Sequence, residues 1–204
     1  MKSEMTVPGY NLFLSTLSAE YDPNTLELVS FAYIVSKYGH AQQTRDGGER
    51  YFDHPKAAAW IYINELGGRD PRVICDLLLH DIKEDAYLLS IYRIKINCGI
   101  DVALDVLAVT KLPKGKETIE DYLQRIIDRD PRAIITKLCD RLHNVRTLVT
   151  CTPEKRRKQI IETEEVLMPT LIKALYAAGD EWSIYATKIE QKMKDALAVY
   201  KTNS

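Results

Sequence analysis

Prolines placed directly after capping residues recur along this chain and divide it into short helices. Asp22-Pro23, Asp70-Pro71 and Asp130-Pro131 each set a carboxylate that can accept the free N–H groups of a first turn before a proline suited to the first helical position. Thr152-Pro153-Glu154 repeats the device, and His54-Pro55 marks another start. Gly39 closes a helix begun at Pro23, and Gly67-Gly68 closes one begun at Pro55. Between these marks apolar residues fall at helical spacing, as in Leu28, Phe31, Ala32 and Val35, or Ile134, Ile135, Leu138 and Leu142. Convincing period-two strands are absent. The pattern predicts an all-α helical bundle of roughly eight to ten helices. Pro169 lies inside a helical pattern and should kink or break it. Residues 181–201 read as a last amphipathic helix, and Arg45–Arg50 and Pro113–Glu117 read as loops.

No repeat, low-complexity tract or linker divides the 204 residues, so one domain over 1–204 is expected. Hydrophobic residues make up 46% and the net charge is −1, which gives no electrostatic ground for a nucleic-acid or membrane-surface partner. No apolar run approaches bilayer length. Met1 to Leu17 lacks the basic start and apolar core of a secretory signal. Cys75, Cys98, Cys139 and Cys151 are scattered, with no Cys-x-x-Cys. Cys75 and Cys139, in apolar helical patterns, read as buried thiols, and a reduced cytoplasm is the simplest setting.

The chemistry concentrates on two predicted helices. On the one from Pro71, His80 shares a face with Glu84 and Asp81 with Asp85, after an apolar run from Val73 to Leu79. An imidazole and a carboxylate thus emerge from a buried segment, and two acids follow a turn later, a set suited to activating water beside a metal. On the helix from Pro131, Lys137, Asp140 and Asn144 lie three and four residues apart on one face. Asp140 could ligate a metal, and Lys137 and Asn144 could hold phosphate or sugar. His54 stands at a helix start, where its ring can point into a site. Two nitrogens and two carboxylates from His54, His80, Asp81 and Asp140 suit manganese, iron or zinc, and the carboxylate share favours manganese.

Plainer roles remain open for each residue on its own. Asp140 among Lys137, Arg141 and Arg146 also fits an ion-pair network, and Glu84-Asp85 a solvated face. His40 fits a satisfied residue at a helix C-terminus, and His143 a packing or supporting role beside a ligand. Lys111, Lys114 and Lys116 fit a solvated loop.

In order, the stretches His40 to Arg45, Gly48 to Pro55, Leu78 to Asp85, Val109 to Leu112 and Lys137 to Leu148 resemble the hydrolase domain of the RelA/SpoT family. Residues 162–169 are similar to that family's closing helix, and the resemblance covers about residues 27–175. It implies an all-α HD-domain fold with one manganese ion. It implies removal of the 3′-pyrophosphate of guanosine alarmones, giving GDP or GTP and pyrophosphate. By the same resemblance His54, His80, Asp81 and Asp140 match the metal ligands, and Glu84 and Asp85 match the acidic pair that activates water. Arg45 matches the arginine that stacks on the base, Asn144 a ribose-side contact, and Thr147 lies near the base.

The chain is too short for that family's synthetase and regulatory domains, so a stand-alone small alarmone hydrolase is expected. Two positions depart from the pattern. Asp46 stands where the family usually has a basic residue, and Arg50 where it usually has proline. A carboxylate near the base accepts hydrogen bonds that a lysine would not, so adenosine alarmones are a further candidate substrate. Two other functions fit the same motifs. One is a phosphohydrolase acting on another nucleotide such as NADPH. The other is an antitoxin paired with an alarmone-making toxin. A homo-oligomer would fit any of them.

Overall fold

The computed structural model describes residues 7–82 and 90–201. Eleven α-helices lie among them: α1 (Tyr10–Ser15), α2 (Pro23–Gly39), α3 (Asp53–Trp60), α4 (Pro71–Leu79), α5 (Ile91–Cys98), α6 (Ile100–Val109), α7 (Ile119–Arg129), α8 (Pro131–Thr147), α9 (Pro153–Ile161), α10 (Met168–Ala177) and α11 (Asp180–Lys201). The π-helical segment Glu162–Leu167 joins α9 to α10 as one rod, which brings the rods to ten. An isolated antiparallel bridge, Thr44 to Arg50, is the only β pairing among the described residues. The all-α expectation holds, and no helix among these residues is long and apolar enough to cross a membrane.

The proline-based starts form as the sequence implies. Asp22 accepts from the Asn24 and Thr25 amides, Asp70 from Arg72, Asp130 from Arg132, and Thr152 from Lys155. Each such cap contributes about 1 kcal/mol to its helix. Pro169 does not break its helix. It sits just past the π segment, and the wider turn absorbs the missing N–H and the ring's clash with the carbonyl four residues back.

Helix α8 is the centre of the packing. It touches α3, α4, α6, α7, α10 and α11. Ala133 through Leu142 is buried without interruption, so the Ile134–Leu142 stripe is only part of a helix enclosed on every side. Val73 through Leu79 of α4 is equally enclosed. The buried apolar cluster runs from Phe13 to Leu197. All four cysteines are free thiols, and Cys75 and Cys139 are buried as expected.

Candidate metal centre

Three separate pieces of backbone aim polar groups at one point inside this packing. His54 lies in the first turn of α3, His80 and Asp81 follow the last turn of α4, and Asp140 lies in the middle of α8. His54 Nε2 stands 3.2 Å from His80 Nε2, 3.4 Å from Asp81 Oδ2 and 3.1 Å from Asp140 Oδ1. His80 Nε2 stands 3.2 Å from Asp81 Oδ2 and 3.6 Å from Asp140 Oδ1. Neighbouring ligands around a divalent ion with bonds of about 2.1 Å are roughly 3.0 to 3.4 Å apart, so these separations suit one cation. His54, His80 and Asp140 are 2%, 4% and 4% exposed, so the donors lie in a largely dry setting.

The supporting hydrogen bonds favour the same reading. His80 Nδ1 donates to the Leu77 carbonyl at 2.8 Å, which turns Nε2 toward the cluster as the nitrogen a cation would take. The Tyr51 hydroxyl donates to Asp81 Oδ2 at 3.0 Å, and its ring stacks on His40 at 4.7 Å. His40, held by Gln43 at 2.6 Å, therefore does more than end α2: it backs the tyrosine that orients Asp81. The pairing His40-x-x-Gln43 was the sequence signal for this brace.

Burial alone would favour neutral groups here, yet charge partners override it. Burial opposes a proton on His80, but the Asp81 and Asp140 carboxylates lift its pKa well above the ordinary histidine value. Burial pushes the Asp81 carboxyl up, but His80 and His54 hold it well below the usual range. For Asp140 the same penalty is overcome first by the Lys137 ammonium and then by the two imidazoles. Two carboxylates kept ionised beside two imidazoles make a site that a divalent cation would neutralise.

The expected substrate residues fall around this centre. Arg45 sits in a loop closed by Arg45 N–H to the Glu49 carbonyl and Tyr51 N–H to the Gln43 carbonyl, at 2.9 and 3.0 Å. Gly48, at φ +84°, makes that tight return possible. Arg45 Nη2 donates to Asn144 Oδ1 at 2.6 Å, and Asn144 Nδ2 donates to Asp140 Oδ1 at 2.6 Å. Thr147 is one turn further along α8, its hydroxyl donating to the His143 and Asn144 carbonyls at 3.1 Å. Lys137 is buried and places Nζ 2.7 Å from Asp140 Oδ2, so it is engaged with the cluster.

Further cations lie nearby. Lys111, Arg125 and Lys137 stand 5.7, 5.3 and 5.6 Å from the centre of the Tyr122 ring. Glu162 offsets part of this charge, 3.1 Å from Arg141 and 3.8 Å from Lys111. Asp46 accepts from Lys155 Nζ at 2.5 Å and from Cys151 Sγ at 3.3 Å, so the unusual carboxylate is paired. Arg50 is paired with Asp53 at 3.1 Å. Glu84 and Asp85 lie outside the described residues.

His143, expected to pack or to support a ligand, joins the cluster through His54 Nδ1 at 2.7 Å. Burial first, then the neighbouring His54 and Arg45, push its pKa well below the ordinary value. Tyr51, present in the motif, carried no assigned role.

An all-α enclosure around adjacent histidine and aspartate side chains is the architecture of an HD-type domain. The chain belongs to the HD domain family, whose model matches residues 32–169. It is 39% identical over 147 residues to a probable guanosine-3′,5′-bis(diphosphate) 3′-pyrophosphohydrolase of Synechocystis sp., covering 68% of this chain and 18% of that relative. The corresponding Aquifex aeolicus 3′-pyrophosphohydrolase is 40% identical over 161 residues, covering 76% and 23%. A probable GTP pyrophosphokinase of Mycobacterium leprae is 36% identical over 171 residues, covering 80% and 21%. The chain therefore spans about a fifth of the length of these curated relatives. A solved structure described as a metazoan ortholog of SpoT that hydrolyses ppGpp shares the fold, with a TM-score of 0.66 and 23% identity over 88% of this chain and 97% of that one.

Proposed function

We propose that this protein hydrolyses the 3′-pyrophosphate of guanosine alarmones, (p)ppGpp, to GDP or GTP and pyrophosphate. The observation that carries the reading is the convergence of His54, His80, Asp81 and Asp140 on one point. These four would hold one divalent cation, and their balance of two imidazoles and two carboxylates suits manganese. Bound there, the cation would supply Lewis acidity to a phosphoryl oxygen and acidify a water nucleophile.

The chain's own groups divide the remaining work. Water adds to the phosphorus next to the ribose, the bond to the 3′ oxygen breaks, and that oxygen gains a proton as pyrophosphate leaves. Glu84 and Asp85, four residues beyond His80 and Asp81 in the sequence, are assigned to orient the water and take its proton. Arg45, Asn144 and Thr147 are assigned to the nucleoside. Lys137, Arg141 and Lys111 are assigned to offset substrate phosphate, and Lys137 also sets the charge of Asp140. The charge around Asp46 is shared with Lys155, and that pair is proposed to bear on the choice between guanine and adenine. The names of the relatives favour alarmones over NADPH or a purely partner-binding role. A cytoplasmic setting fits the four free thiols.

The test is product analysis after incubation with ppGpp, ppApp and NADPH in manganese. Pyrophosphate release from ppGpp supports the reading. Phosphate release from NADPH alone overturns it.

A further inference from the structure

The Arg45 guanidinium reaches the cluster by two arms. Nη2 donates to Asn144 Oδ1 at 2.6 Å, and Asn144 Nδ2 donates on to Asp140 Oδ1 at 2.6 Å. Nη1 lies 3.4 Å from His143 Nδ1, which lies 2.7 Å from His54 Nδ1. The ring closes where His54 Nε2 approaches Asp140 Oδ1 at 3.1 Å. Every side chain in the loop other than Arg45 is a cluster donor or hydrogen-bonded to one.

The direction of each bond in the second arm is forced. A guanidinium has only donors, so His143 Nδ1 must offer a lone pair. His54 Nδ1 must then carry the proton and donate. That keeps a proton on His54 Nδ1 and leaves Nε2, turned toward Asp81 and Asp140, as the nitrogen a cation would take. An arginine 98 residues away in sequence from His143 thus selects the protonated nitrogen of an imidazole it does not touch.

We propose that His143 is a positioning residue that couples cation binding at His54 to nucleotide binding at Arg45. The nucleotide half of this coupling rests on the functional reading above; the cation half does not. A cation on Nε2 makes His54 Nδ1–H a stronger donor, which holds His143 and keeps Arg45 in place. Anything that fixes Arg45 acts in reverse, with equal coupling in both directions.

The experiment is calorimetric titration of Mn2+ into the wild-type protein, H143L, H143N and R45A, with and without saturating GDP. In the wild type, GDP tightens Mn2+ binding several-fold. H143L lacks the acceptor, so its Mn2+ affinity without nucleotide falls roughly 10- to 100-fold and the GDP effect disappears. Asparagine places Oδ1 close to where imidazole places Nδ1, so H143N restores most of both.

R45A separates this account from simple charge. Removing a cation near the site would tighten Mn2+ on Coulombic grounds, whereas loss of the tautomer control weakens it. Weaker Mn2+ binding by R45A supports the proposal even where H143L fails to fold. Unchanged or tighter binding by R45A overturns it. So does a folded H143L that keeps the wild-type Mn2+ affinity within twofold. Failure to hydrolyse ppGpp with these Mn2+ results intact would overturn the assigned substrate and leave the relay standing.

Discussion

Lys137 Nζ lies 2.7 Å from Asp140 Oδ2, one helical turn apart on α8 and closed off from solvent. The ammonium is held in its charged form by Asp140 against the burial that disfavours it. In the absence of a divalent ion it supplies local positive charge to the donor cluster. Replacing one member of a buried pair strands the other, at a cost of about 3–5 kcal/mol. Lys137→Met should therefore lower the melting temperature strongly in chelator. Manganese should recover much of the loss, because it neutralises the stranded carboxylate. Equal losses with and without manganese would show that Lys137 acts elsewhere.

Asp46 and Lys155 pair across 2.5 Å and join the Arg45 loop to the start of α9. The pair is half-exposed, and such pairs contribute about 0.2–1 kcal/mol, so its effect should fall on substrate binding more than on stability. Asp46→Lys sets two ammonium groups facing each other. It should raise the KM for ppGpp several-fold with little change in melting temperature, and shift the ratio of ppGpp to ppApp turnover. Adding Lys155→Asp should restore KM by reversing the pair. A double variant no better than the single would mean that the pairing does not hold the loop.

Asp76 is a buried carboxyl inside the apolar run of α4 that no N–H donor reaches, and its neighbour is the Asp105 carboxylate. Burial, then the adjacent Asp105 carboxylate, push its pKa well above the ordinary value. Asp105 itself is bound by Arg72 at 2.5 and 2.9 Å, with Arg129 Nε at 2.9 Å, so the proton of the pair resides on Asp76. Below about pH 4 both the folded and the unfolded chain carry that proton. As pH rises further the unfolded chain releases it and the folded chain keeps it. Stability therefore falls by up to about 1.4 kcal/mol per pH unit until the raised folded value is passed. Asp76→Asn keeps a donor toward Asp105 and cannot ionise. It should raise the melting temperature at pH 7 and flatten its decline above pH 4. A variant less stable than the wild type at pH 7, with the same slope, would refute this assignment.

Much of the architecture could be read from local chemistry. The Asp-Pro and Thr-Pro starts act within three residues, so they declare themselves in sequence and fold as read. The complete burial of α8 was less legible, because charged residues such as Lys137, Asp140 and Arg141 interrupt its apolar pattern. They are tolerated inside only because each meets a partner, and two of those partners, Gln159 and Glu162, come from the α9–α10 rod. The donor residues were visible as His-Asp and His-Pro neighbours, but their convergence depends on three segments meeting in space. Lys137 illustrates the ambiguity: its spacing from Asp140 fits both a phosphate contact and an internal pair, and the structure shows the pair at 2.7 Å. The Asp46–Lys155 contact spans 109 residues and had no local signature.

The most direct test compares wild type and Asp81→Ala for bound manganese and for pyrophosphate released from ppGpp, each with and without chelator. Asp81 supplies one of the converging oxygens, so the variant should lose metal and turnover together. The wild type should release pyrophosphate and GDP in manganese and stop in chelator. Turnover by metal-stripped wild type, or a wild-type rate from a metal-free Asp81→Ala, would contradict the account.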